Sequence, residues 1–342
     1  MTFAKSGAVV VALGLLACGL SLASVRMDGL GWNLSDLIDD PVADMLTYPQ
    51  LNVLSPGRLV GVEMNQLGYY HPYARATGRL SVAATLDAGL GGLTASCDPS
   101  LALATQVGPL SLGASARFAF IDEPVSPPKD ISWRWITFNH DVGIAVVGVR
   151  WNRPAMALDV NVSGGEYDHY MWSTDGGSDT LFERYCVTSL TPLLRVTWLR
   201  EHLSWRAIIS YGCGGTDWPD HHFYIEERTL SLGGGPAFAA GNLLAVAGLR
   251  ANASSYGGDW LWDLRLPAGV EWSPGPVVFR LGTYAQCSFR TSAAGATYQG
   301  FVGHVSIGLG LRPVEHLRLD FVPDMDNAAN LRGWSLAAAL DF

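Results

Sequence analysis

The sequence predicts an all-β protein: a closed, up-and-down antiparallel barrel of about 16 strands, within a range of roughly 14 to 18, standing in a membrane. Three observations carry this. Charged residues make up 15% of the 342 positions, against about 25% in an average soluble protein. Apolar residues reach 49%, yet after the first two dozen positions none gather into the run of about 20 that a membrane helix requires. The apolar residues instead alternate with polar or tiny ones, as the pleat of a strand demands when one face meets lipid and the other a lumen.

The first stretch, "MTFAKSGAVVVALGLLACGLSLASV", has one cation, Lys5, then apolar residues from Ala8 to Ala17, then small residues. That order is the pattern of an export signal, read here as residues 1–23 with cleavage after Ala23. "LLAC", ending at Cys18, offers lipidation of Cys18 as an alternative processing route. Residues 24–57 form an N-terminal periplasmic or plug segment, the only stretch with helix logic. Asn33 or Ser35 is placed to cap, and Leu37, Ile38, Val42, Met45 and Leu46 to form one apolar face, while Pro41 and Pro49 keep any helix short. The barrel is assigned to residues 58–342, where the period becomes that of a strand.

The clearest alternations fix the faces. Met156, Leu158, Val160 and Val162 oppose Ala157, Asp159, Asn161 and Ser163. Leu203, Trp205, Ala207, Ile209 and Tyr211 oppose Ser204, Arg206, Ile208 and Ser210. Phe301, Val305, Ile307 and Leu309 oppose His304, Ser306, Gly308 and Gly310, and Leu317, Leu319 and Phe321 oppose His316, Arg318 and Asp320. Between strands, short turns such as "REH" at Arg200 and "RPVEH" at Arg312 alternate with longer polar, Gly-rich stretches such as "GGEYDHYMWSTDGGSDT" and "GCGGTDWPDHH". Counting backward from a periplasmic C-terminus puts every long stretch outside the cell. Near residues 87–110 the pattern fits either one bent strand or two.

The final residues, "GWSLAAALDF", keep the strand period to the end: Trp334, Leu336, Ala338, Leu340 and Phe342 share one face. An alternation closing on an aromatic resembles the C-terminal signal of bacterial outer-membrane barrel proteins, carried here by Gly333, Trp334, Leu336, Leu340 and Phe342. The resemblance implies a Gram-negative outer-membrane location, with outer-membrane lipids and the barrel-assembly machinery as partners. A second stretch, "DDPVADMLTYPQLNVLSPGRLVGVEMN", resembles the N-terminus of long-chain fatty-acid-transporter-type barrels, although Tyr48-Pro49-Gln50 stands where that family has Asn-Pro-Ala. This implies that the segment before Arg58 enters the lumen as a hatch.

Parity nominates the pore-lining residues: Glu63, Asp159, Arg206, Asp263, Arg265, Arg280, His304, Arg312, Arg318 and Asp320. Their mixed signs suit ion pairs across the wall. An excess of cations at one constriction would give anion preference. Cys186 and Cys213 lie at similar distances from the Arg200–His202 turn, in an oxidising compartment, and are expected to form a disulfide.

Catalysis is not expected. Asp168, His169, Asp217, Asp220, His221 and His222 sit in stretches read as outer loops; such Asp/His sets resemble omptin-type proteases, but placement beside Gly and Pro marks them as solvated loop residues. "FNHDVGIAVVGVRWNRP" resembles outer-membrane phospholipase A at His140 and Asn152, but Asp141 and Val142 stand where a nucleophilic Ser is needed. No cofactor or metal motif is present. The net charge of -9 without a basic run excludes nucleic acid as a partner. The expected role is passive or facilitated passage of a small solute, hydrophobic ones included, with a non-conducting structural, binding or secretion-associated barrel as the first alternative and a rim-located hydrolase as the second.

Overall fold

The computed structural model describes residues 25–30, 34, 36–55, 57–65, 69–89, 96–121, 135–136, 141–175, 178–218, 223–256, 259–292, 295–325 and 331–342. The export signal and Cys18 lie outside these residues. The wall is one closed antiparallel sheet of 16 strands. In order these are β1 (Arg58–Asn65), β2 (Tyr69–Ala76), β3 (Leu80–Gly89), β4 (Ser96–Val107), β5 (Leu110–Ile121), β6 (Asp141–Arg153), β7 (Met156–Asp175) and β8 (Ser178–Leu199). There follow β9 (Leu203–Trp218), β10 (Phe223–Ala240), β11 (Leu243–Ala247 continued by Leu249–Tyr256), β12 (Asp259–Trp272), β13 (Val277–Ser292), β14 (Gly295–Val314), β15 (Leu317–Met325) and β16 (Leu331–Asp341). The short piece Trp135–Ile136 pairs with β7 further along and continues the line of β6. Residues 87–110 resolve into two strands, β3 and β4.

The ring closes where β1 pairs with β16, from Leu59 opposite Asp341 to Asn65 opposite Ser335. Arg58 N donates to Phe342 O at 2.7 Å, and Phe342 N donates back to Arg58 O at 2.9 Å. Closure leaves no strand edge for lipid to desolvate. Tight turns lie at the same end as this seam. Gly108 (φ 59) and Gly241 (φ 56) provide the left-handed positions that two-residue hairpin turns require.

The outer stretches differ from the expectation. Most of "GGEYDHYMWSTDGGSDT" belongs to β7 and β8, with Asp168 opposite Cys186 and His169 opposite Tyr185. Asp217 lies on β9 opposite Tyr224. These polar residues are therefore on strands, because two long strands paired rung by rung satisfy their own backbones beyond the lipid, where no apolar face is needed. Strands β7 and β8 have 20 and 22 residues, well over the 9–11 or so that cross a bilayer.

The apolar parity set points away from the barrel. Trp205 is 50% exposed and Ile209 43%, while Arg206 between them is 6%. The same holds at the last strand, where Trp334, Leu340 and Phe342 face outward while Ala337 and Ala339 are buried on the inner face. On β12, Trp262 and Trp272 face outward with Leu264, Leu266 and Val270 between them. Ten positions of a strand tilted by about 40° rise roughly 25 Å, the height of an outer-membrane apolar band with aromatics at both interfaces. Leu266 stands near the middle of this band. Leu266→Arg is expected to cost about 2–4 kcal/mol of folding free energy in lipid vesicles, measured from the urea midpoint. A cost near zero would mean that this face does not meet lipid.

A 16-strand ring is too wide for its own side chains to fill. The chain before β1 occupies the interior instead. It carries α1 (Val25–Leu30), α2 (Asp44–Thr47) and a 3-10 turn (Pro49–Leu51). The single apolar face expected here is split in two. Leu37 and Ile38 pack with Met27, Leu30, Leu34, Ala237 and Val246, whereas Val42, Met45 and Leu46 pack with Leu59, Tyr73, Ala83, Ala102 and Ala339. The break is at Asp40-Pro41, where Asp40 Oδ1 accepts the N–H groups of Val42 and Ala43, each at 3.0 Å.

Candidate functional site

The polar groups that join this segment to the wall converge near the end of the barrel that carries the tight turns. Two clusters form. In the first, Glu271 Oε2 on β12 accepts from Arg26 Nε at 2.9 Å and Arg280 Nε at 2.7 Å. Arg280 Nη1 reaches Asp320 Oδ1 at 2.6 Å, Arg318 Nε lies 2.9 Å from Asp320 Oδ2, and Arg26 Nη1 reaches Asp40 at 3.3 Å. Charges of opposite sign thus alternate from the segment into four wall residues on β12, β13 and β15.

The second cluster centres on Asp159, which is fully buried on β7. Its Oδ2 accepts from Arg195 Nε at 3.0 Å and Arg150 Nη1 at 3.4 Å, and its Oδ1 from Gln50 Nε2 at 3.2 Å. Gln50 Nε2 also donates to Asn161 Oδ1 at 2.7 Å, while Asn161 Nδ2 donates to Thr47 O at 2.8 Å. The Tyr48 ring covers the Arg195 guanidinium at 3.8 Å. Asp39 Oδ2 meets Arg206 Nη2 at 2.8 Å, and its Oδ1 lies 3.8 Å from Arg195 Nη2. Asp36 pairs with Arg250 at 2.9 Å, and Ser115 Oγ donates to Leu46 O at 2.7 Å.

The wall makes room for this contact with glycine. A Cβ on Gly113 would collide with the Gln50 backbone, and one on Gly148 with the Gln50 side-chain oxygen. The two glycines face each other across β5 and β6. They form a slot that only a wall without side chains offers.

Electrostatics in the segment follow from this setting. Burial would raise the carboxyl of Asp39, but Arg206, Arg195 and Arg150 outweigh it and hold it below the usual carboxylate range. For Asp40, burial is likewise outweighed by Arg26, the Ala43 N–H, Arg318 and the Val42 N–H. Asp44 goes the other way: burial, reinforced by the charge of Asp39, pushes it well above that range, although Arg195 and the Asp40 N–H oppose the shift.

Of the sequence-nominated lining residues, Asp159 and Arg206 belong to the second cluster and Arg280, Arg318 and Asp320 to the first. Glu63 is buried on β1. Asp263 lies further out on β12, accepting from Gln286 at 3.1 Å and sitting 3.8 Å from Arg265. His304 stacks on Tyr284 at 5.4 Å between ring centroids. Arg312, expected at a turn, is exposed near the end of β14. Parity reasoning missed Arg195, Arg150, Arg250 and Glu271, although Arg195 lies between outward-facing Leu194 and Val196 and was open to the same reasoning.

The disulfide is a correction. Cys213 is a free thiol and pairs across from Leu190, while Cys186 stands opposite Asp217. Four rungs separate them, about 13 Å along the strand, far beyond the reach of an S–S bond. Similar distances from a turn do not suffice, because pairing is set rung by rung.

No catalytic constellation forms among the described residues. His140, Asp220, His221 and His222, and the side chains of Asp168 and His169, lie outside them. Asn152 accepts from Arg150 Nε at 2.7 Å and donates to Ser111 at 3.3 Å. Among the described residues no group of His, Cys, Asp and Glu is arranged to hold a metal ion.

No protein-family model matches the chain, and no curated protein matches it. Solved structures do. A bacterial polysaccharide outer membrane secretin aligns with a TM-score of 0.51 at 9% identity, over 84% of this chain and 98% of its own. The CymD monoaromatic hydrocarbon channel gives 0.47 at 10%, over 92% and 96%. The copper transporter OprC gives 0.47 at 8%, over 82% of this chain and 61% of that one, so the chain spans under two thirds of OprC's length. At such identities the likeness is one of fold, that of the bacterial outer-membrane β-barrels.

Proposed function

We propose that this bacterial outer-membrane β-barrel is a gated passage for small solutes, with the segment before Arg58 as its plug. The observation that carries the reading is the distribution of the segment's contacts. They reach β1 to β4 and β16 through one apolar cluster, β5 to β7 through Gln50 and its neighbours, and β8, β9, β11 and β12 through ion pairs. A strip of chain that touches a ring on all sides lies across its opening.

The inward face beyond the plug argues for a polar solute over a hydrophobic one. Asp263, Arg265, Gln286 and Ser288 form a hydrogen-bonded and charged group there, and Ser231 with Asn252 continues it. The seat of the plug is itself ionic and hydrogen-bonded, so it can open without exposing only apolar surface.

The test is single-channel recording in planar bilayers on the full chain and on a form lacking residues 24–57. Conductance steps are expected only in the shortened form. Steps in both forms would overturn the plug, and steps in neither, with heat-modifiable migration showing an intact barrel, would overturn passage altogether.

A further inference from the structure

We infer that the arginine pair Arg195 and Arg206 is a carboxylate-binding site, that Asp39 of the plug is its internal occupant, and that the solutes admitted by displacing it are small organic carboxylates. The last step rests on the gated-passage reading; the binding site does not.

Three features of the pair support this. Both guanidiniums are deeply buried, Arg195 fully and Arg206 at 6% exposure. Both are under-satisfied: Arg195 Nη1 and Nη2 and Arg206 Nε and Nη1 make no hydrogen bond. A buried donor without an acceptor is costly, and native proteins keep few of them. Among the described residues, the carboxylate that reaches both guanidiniums is that of Asp39, which bonds Arg206 closely but lies 3.8 Å from Arg195. One aspartate side chain, fixed to the plug backbone, thus fills the site only partly.

Rigidity and charge complete the argument. Arg195 is held from behind by Asp159 of the wall, so its outer edge keeps its direction when the plug residue leaves. With Asp39 removed, Arg150 and Arg195 still share the wall carboxylate Asp159, while Arg206 keeps no ion-pair partner among the described residues, which leaves positive charge in surplus at the pair. Such a surplus favours an anion, and planar forked donors favour a carboxylate.

Asp39 is also reachable. Although enclosed by the wall, its side chain is 54% exposed, so part of it is open to a competitor. A solute carboxylate free of the plug backbone can engage both guanidiniums, which the tethered aspartate does not.

The test uses the full chain carrying Asp39→Ala, which removes the carboxylate and leaves a space of its size. Thermal unfolding, followed by the loss of heat-modifiable migration, is measured in sodium formate and in sodium chloride at equal ionic strength. Formate is expected to raise the midpoint of Asp39→Ala by several degrees over chloride, to move the parent chain less because Asp39 competes for the site, and to leave Asp39→Ala/Arg206→Gln unmoved because the site is broken. Equal midpoints for Asp39→Ala in the two salts would overturn the inference, as would an equal formate effect in the double variant. A barrel that never conducts would sink the passage reading while leaving the formate result intact, so the two failures are distinguishable.

Discussion

Gly148→Val is expected to unseat the plug and turn a closed barrel into a conducting one. The new side chain falls on the Gln50 side-chain oxygen and within 2.6 Å of Asn161 Oδ1. Gln50 is fully buried and has no room to retreat, because the Gly113 side of the slot is already against its backbone. Overpacking of this kind costs about 1–3 kcal/mol, which raises the unseated fraction roughly five- to 150-fold. The wall should survive, since its rungs run through backbone groups that the substitution does not alter. Gly303→Val is the control: its Cβ would meet nothing closer than Phe301 at 4.0 Å, and no change in channel opening is expected. Equal conductance from both variants would mean that the slot does not seat the plug.

Asp159→Ala is expected to give the largest loss of stability of any single substitution at the site. It strips the hydrogen-bonded carboxylate from Arg195 and Arg150 at once, leaving Arg195 with Asp39 at 3.8 Å, and removes an acceptor from Gln50. Breaking a buried pair from one side costs about 3–5 kcal/mol, because the remaining charge stays buried and unpaired. The urea midpoint of the folded barrel reads this directly. Adding Arg195→Met should recover part of the loss, as apolar replacement of both partners removes the stranded charge. Arg312→Ala, at an exposed position near the end of β14, should move the midpoint by less than about 0.5 kcal/mol equivalent. If the double variant is no more stable than Asp159→Ala, the stranded charge is not the cause.

The barrel was legible in the sequence because its information is local. Each strand declares its own faces by alternation, so Trp205 and Arg206 were assigned to opposite sides without knowledge of any neighbour, and the structure places them there. The seat of the plug was less legible. Asp39 and Arg206, or Gln50 and Asp159, are joined by the closing of the ring and by no sequence spacing. Gly113 and Gly148 look like ordinary strand glycines until Gln50 is placed between them. The outer hairpins were misread for a related reason: polar, Gly-rich sequence signals a loop only where nothing pairs with it, and β7 and β8 pair throughout. The disulfide failed on register, which similar distances from a turn leave undetermined.

The seam of the wall and the root of the N-terminal segment are the same place. Arg58, which exchanges two backbone hydrogen bonds with Phe342, directly follows Gly57, where a φ of 80° turns the chain from interior to wall. The ring is thus completed by the longest-range pairing in the fold, and the chamber that houses the plug exists only once that pairing is made. Loop-closure entropy must be spent before any of the contacts inside are gained. Assembly is therefore ordered by topology: a segment synthesised ahead of every strand waits until the last strand arrives, and zipping the wall and enclosing its contents become one event.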